Sequence, residues 1–172
     1  MGGSFTMKNI LVVAPHPDDE TLGCGGTLLK HKALGDKIHW LIISGINEEA
    51  GYNSEKISSR SQEIKTVSEM YGFYSVVNLN LPTTNLDVLP MQHLIEMIGD
   101  VILKIKPEIL YVPFPGDIHT DHQIVFQAVA ACSKWFRFES IKRILAYEAL
   151  SETDFAISPE INAFTPNVFV DI

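Results

Sequence analysis

Two short stretches gather the residues of this chain that are equipped for chemistry. The first, APHPDDE at residues 14–20, sets His16 beside three consecutive acids, Asp18, Asp19 and Glu20, directly after an apolar run. Acids crowded at the mouth of an apolar strand are costly unless their charge is compensated, and a cation compensates it most cheaply. The second, GDIHTDH at residues 116–122, holds His119 and His122 three apart. If a helix begins there, that spacing puts both on one side. A catalytic zinc takes about three protein ligands and leaves one position for water. His16, Asp19 and His122 are the most economical set. Two imidazole nitrogens with one carboxylate oxygen suit zinc better than calcium or magnesium, and ferrous iron remains open on ligand type. Asp18 is then free to act as general base on the water, and His119, paired with Asp121, to donate toward an oxyanion. Such an arrangement hydrolyses an inert bond such as an amide.

Plainer readings stand beside these. Acids favour helix starts, so Asp18 and Asp19 could cap the helix that follows, although capping leaves His16 unexplained. Glu20 reads as a cap or as a support behind the ligands. Asp121 could be an N-cap, which does not exclude orienting His119, and Asp117 reads as part of a surface turn.

The elements that must position these loops alternate along the chain. Strands are expected at Ile10–Ala14, Lys37–Ser44, Val76–Leu79, Ile109–Val112 and Arg143–Glu148, with one more at Val168–Ile172. Helices are expected at Thr21–Leu34, Ser54–Tyr71, Pro90–Lys106 and from Asp121 to about Trp135, the first two stopped by Gly35 and Gly72. Leu94, Ile98, Val101 and Ile105 recur at helical spacing in the third. This order implies a Rossmann-like, three-layer αβα domain with a mostly parallel sheet. Ligands of such sheets bind beyond the carboxyl ends of the strands. Both chemical loops follow strands and belong at that rim, where 45–53 and 81–89 join them as candidate pocket walls.

The 172 residues carry a net charge of −8 and are 46% hydrophobic, which predicts one compact domain spanning 1–172 rather than disorder. The acidic balance disfavours nucleic acid and anionic lipid as partners. No run approaches the roughly 18 apolar residues of a membrane span. Two cysteines, Cys24 and Cys132, make no disulfide framework, and with no signal-like segment the cytoplasm is expected. Both are read as packing residues. Gly23, Gly25 and Gly26 match a dinucleotide loop poorly, because the second strand ends in LIISG without an acid; close packing is favoured. Trp135, Phe136 and Phe138 form a candidate interface patch for a homo-oligomer.

The stretch APHPDDETLGCGG (14–26), with HTDH (119–122) late in the domain, resembles the LmbE-like, or PIG-L, family of metal-dependent de-N-acetylases. The resemblance spans nearly the whole chain. It implies zinc held at His16, Asp19 and His122, a general base at Asp18, and an oxyanion-facing His119 oriented by Asp121. The implied reaction removes an acetyl group from an N-acetylated amino sugar, whether glycolipid, glycoside or nucleotide sugar, with a zinc-activated water as nucleophile. Arg60 is similar to the family arginine near the substrate pocket, with Glu63 supporting it; a solvated helix arginine is the plainer reading. Some relatives carry a tyrosine where this chain has Asp117, so a mycothiol-type substrate is not implied. Family members usually continue for several tens of residues, which implies that a C-terminal segment lies beyond residue 172. The alternatives are a catalytically silent, metal-containing binding or regulatory domain and, last, a nucleotide-dependent enzyme.

Overall fold

The structure, a computed structural model, describes residues 6–134, 136–155 and 163–172. Five strands pair in parallel: β1 (Asn9–Ala14), β2 (Lys37–Gly45), β3 (Ser75–Pro82), β4 (Ile109–Pro113) and β5 (Arg143–Tyr147), in the order β3-β2-β1-β4-β5. Ile10 of β1 lies between Ile38 of β2 and Ile109 of β4. The chain reverses its direction of travel across the sheet between β1 and β4, and the crevice beyond their carboxyl ends is the natural place for a site.

Side-chain alternation divides the core into two layers. Leu11, Val13, Leu41, Ile43, Leu110 and Val112 face helices α3 (Met91–Ile105) and α4 (Thr120–Ala131), packing on Leu94, Ile98, Ile102, Val125 and Val129. Ile10, Val12, Ile38, Trp40, Ile42 and Tyr111 face α1 (Asp19–Ala33) and α2 (Ser54–Tyr71), packing on Leu28, Ile64 and Val67. The expected three-layer α/β architecture is therefore present. A short helix, α5 (Leu150–Thr153), follows β5.

Local chemistry sets the boundaries. Asn53 caps α2 by accepting the Lys56 N–H at 2.9 Å, and Gly72, at φ 67°, ends it in the left-handed conformation that glycine adopts without strain. In α3 the fully buried stripe is Leu94, Ile98 and Ile102, whereas Val101 and Ile105 are partly covered. Helix α4 stops at Ala131, short of the expected Trp135, a residue outside the described ones. Of the rest of that aromatic patch, Phe136 is exposed, but Phe138 packs onto the core near Gly99.

The expected strand at Val168–Ile172 does not form. This segment makes no ladder with the sheet; it crosses α1, where Lys30 donates to the Asp171 carbonyl at 2.6 Å and Ile172 packs against Gly26. Its apolar residues stay largely exposed and form no pleat.

Helix α1 is interrupted at Cys24, whose φ of −140° and ψ of 22° depart from helical values. The glycines around it are packing residues, as expected. A Cβ at Gly23 would collide with the Tyr147 ring and lie 2.7 Å from the Glu148 carbonyl, and one at Gly25 would meet the Tyr71 hydroxyl. Gly23→Ala is therefore expected to destabilise by about 1–3 kcal/mol, because the backbone carbonyl cannot yield cheaply and the overpacking outweighs the better helix propensity of alanine. Thermal melting should show a drop of several degrees; an unchanged or raised midpoint would mean that the helix can move away from β5.

Candidate active site

The loop after β1 and the first turn of α1 carry His16, Asp18 and Asp19, while the loop after β4 and the first turn of α4 carry Asp117, His119, Asp121 and His122. Pairing of β1 with β4 brings these two loops together. The three imidazoles cluster, with ring centroids 4.6 Å apart for His16 and His119, 5.4 Å for His16 and His122, and 5.3 Å for His119 and His122.

Within this cluster, ligand atoms of His16, Asp19 and His122 all lie within 4.8 Å of one another. Asp19 Oδ2 is 3.4 Å from His16 Nδ1 and 3.4 Å from His122 Nε2, and it accepts the His16 backbone N–H at 2.8 Å. His122 Nε2 is buried and makes no hydrogen bond. An aromatic nitrogen buried without a well-formed hydrogen bond is costly, and a cation at the centre of the trio would satisfy it. A second group, His16, His119 and Asp121, meets the same distance limit. Its carboxylate is already engaged, however: Asp121 accepts the N–H groups of Thr84 at 2.8 Å and Leu86 at 3.2 Å as well as His16 Nε2 at 3.1 Å. The first trio is thus the one with an open donor.

Both histidines of the trio are held from behind by a buried carboxylate. Asp121 takes His16 Nε2, and Asp117 takes His122 Nδ1 at 2.8 Å, leaving His16 Nδ1 and His122 Nε2 turned to the centre. Such carboxylate–histidine pairs fix ring orientation and tautomer in metal sites. Burial alone would lower the pKa of both rings, but carboxylates outweigh it. His16 is raised to about 9 by Asp121 and Asp19, and His122 to about 9 by Asp117 and Asp19. Against its own burial, Asp19 is held well below the usual carboxylate range by His122 and His16. The site thus concentrates negative charge that protons neutralise when no cation does.

His119 differs. Its Nδ1 accepts the Asp121 backbone N–H at 3.1 Å, so a neutral ring carries its proton on Nε2. Burial and the neighbouring His16 lower its pKa, which favours that neutral donor form. The expected pairing of His119 with the Asp121 carboxylate is replaced by this contact to the Asp121 backbone. The carboxylate is drawn instead to His16 by the two N–H groups of the segment after β3.

Asp18 lies outside the trio, exposed on the wall of a cavity of about 1190 Å³. His16, Asp18, Arg60, Tyr52, Asn78 and Thr84 are among its lining, and both loops expected as pocket walls contribute. Partial burial and the adjacent Asp19 raise the Asp18 pKa, and His16 and then Arg60 oppose them. Arg60 also pairs with Glu63, Nε to Oε2 at 3.3 Å.

This geometry sits in a recognisable lineage. Residues 11–133 match the PIG-L family, described as GlcNAc-PI de-N-acetylase. The chain belongs to the PIG-L family. It is 29% identical over 160 residues to the uncharacterized deacetylase YaiS of Escherichia coli K12, covering 90% of this chain and 80% of that one. It is 28% identical over 124 residues to the diacetylchitobiose deacetylase of Thermococcus kodakarensis, covering 68% of this chain and 46% of that one. Among solved structures, the conserved protein TT1542 from Thermus thermophilus superposes with a TM-score of 0.68 at 28% identity, over 83% of this chain and 66% of that one. The chain therefore spans about half to four-fifths of the length of these relatives.

In this PIG-L domain the structure also assembles residues that sequence reasoning passed over. Asp117, read as a surface turn, is fully buried and bonded to His122, and Thr84 and Leu86 reach the site only through their backbone. For Asp117 the available signal was its place five residues before a candidate ligand. Glu20 is buried, with Oε1 accepting from the Thr21 hydroxyl, Oε2 unpartnered and its pKa pushed up to about 7 by burial, and it is not among the cavity-lining residues.

Proposed function

We propose that this PIG-L family member is a metal-dependent amidase that removes the acetyl group of an N-acetylated amino sugar. The observation that carries the reading is the open, buried Nε2 of His122 facing His16 Nδ1 and Asp19, beside a cavity lined by Asp18 and Arg60. His16, Asp19 and His122 would hold zinc, with ferrous iron as the other metal this donor set accepts. When bound, the metal supplies Lewis-acid polarisation and makes a water acidic enough to be used near pH 7.

The chain's own residues supply the rest. Asp18 takes a proton from the attacking water and returns it to the departing nitrogen, so the amide and one water become a free amine and acetate. His119 presents its Nε2–H to the oxygen that gains negative charge as the carbonyl carbon becomes tetrahedral. Arg60 orients the sugar from the α2 wall. Free or lipid-linked amino sugars are the substrate class, and the cytoplasm, where Cys24 and Cys132 stay reduced, is the proposed setting.

Acetate release from a panel of N-acetylated mono- and disaccharides, with the metal-loaded and chelated protein, tests the reading. Turnover that requires zinc or ferrous iron is expected. Tight metal binding with no turnover on any sugar would favour the silent binding domain instead. His119→Ala should retain metal and lose about 10²-fold in turnover, the usual cost of one oxyanion donor. Unchanged turnover would remove His119 from that role.

A further inference from the structure

We infer that Thr153 is a positioning residue of the metal centre, acting through Asp117 on His122. Thr153 lies 20 residues beyond the last one matched to the family, on the short helix α5. It is buried, and its hydroxyl is committed at both ends: it accepts the Ala149 backbone N–H at 2.9 Å and donates to Asp117 Oδ1 at 2.5 Å. An N–H can only donate, so the hydroxyl must accept there and has its single proton left for Asp117. Asp117 Oδ2 in turn receives His122 Nδ1, and the result is a directed chain from the α5 backbone to the imidazole. A second tie, the Ile118 N–H on the Glu152 carbonyl at 3.1 Å, fastens the same two segments. Asp117, with both oxygens so used, cannot rotate without breaking a buried hydrogen bond, and His122 Nε2 is thereby aimed at Asp19 and His16.

The inference rests on the proposed metal site, and two readouts separate their fates. The first is zinc affinity, measured by competition with a chromophoric chelator for the wild type, Thr153→Val, Thr153→Ser and Asp117→Asn. The second is the exchange-protected His122 Nδ1–H resonance of the metal-free protein. Thr153→Val keeps the shape and removes the hydroxyl; it is expected to weaken zinc about tenfold and to lose or shift that resonance. Thr153→Ser should restore both. In an Asp117→Asn background the Thr153→Val penalty on zinc should shrink to within about twofold, as coupling through one carboxylate requires. Thr153→Ala removes the same bonds without a bulky methyl pair, and serves if the valine variant does not fold.

Zinc affinity and resonance both unchanged in Thr153→Val, or in Thr153→Ala in its place, would overturn the inference while leaving the deacetylase reading intact. A penalty that persists in full without Asp117 would also overturn it. A wild type that binds neither zinc nor ferrous iron would sink the deacetylase reading, and the resonance alone would then decide the role of Thr153.

Discussion

Asp18→Asn should lower turnover by about 10²- to 10⁴-fold while the protein keeps its metal. The asparagine is nearly isosteric and still donates and accepts hydrogen bonds, but it cannot take up the proton of an attacking water. The structure separates this effect from metal loss: Asp18 lies exposed on the cavity wall and outside the trio of His16, Asp19 and His122, of which Asp19 and His122 are buried. The position also suits a base. Partial burial and the negative Asp19 raise the affinity of Asp18 for a proton, and His16 and then Arg60 limit the rise, so the carboxylate remains available to accept one. Steady-state acetate release and metal content of the same preparation check both halves. Loss of metal in Asp18→Asn would make Asp18 a ligand, and unaltered turnover would pass the proton to another group.

The parts of this site that were legible in the sequence are those written within a few residues of each other. His16 and Asp19 share one loop, His119 and His122 one helix start, and a parallel βαβ order places both at the same rim. Supports drawn from remote segments were not legible. Asp117 is bound by a hydroxyl 36 residues away, and Asp121 by backbone N–H groups 37 and 35 residues away. Backbone donors carry no residue signature, and a threonine on a four-residue helix resembles any other. The same limit explains the C-terminal stretch: the apolar run at Val168–Ile172 fits a strand, yet a strand needs a ladder partner, and only the tertiary structure shows that the segment lies on α1. Thr84 illustrates the point from the other side. It holds a φ of 60°, uncommon for a β-branched residue, and its N–H secures Asp121.

Asp19→Ala should abolish tight metal binding and, with it, the stabilisation that metal confers. Asp19 Oδ2 stands 3.4 Å from a ring nitrogen of both His16 and His122, so its removal leaves two imidazoles and no anionic donor at the centre. Two neutral nitrogens on this scaffold satisfy neither the charge nor the ligand count of a divalent zinc site. The consequence reaches stability by mass action. A metal that binds the folded chain and not the unfolded one, at about 1,000 times its dissociation constant, adds about 4 kcal/mol. For a chain of this size that is roughly 10 °C in melting temperature. Chelation of the wild type should therefore lower the midpoint by roughly that amount, whereas Asp19→Ala should melt at the same temperature with chelator or with zinc. A zinc-dependent midpoint that survives in Asp19→Ala would move the ion to the neighbouring group of His16, His119 and Asp121. The arrangement of supports argues against that outcome. The Asp121 carboxylate already satisfies two backbone N–H groups and His16, and a metal there would have to break those bonds to bind. His122 Nε2 has no hydrogen bond to give up.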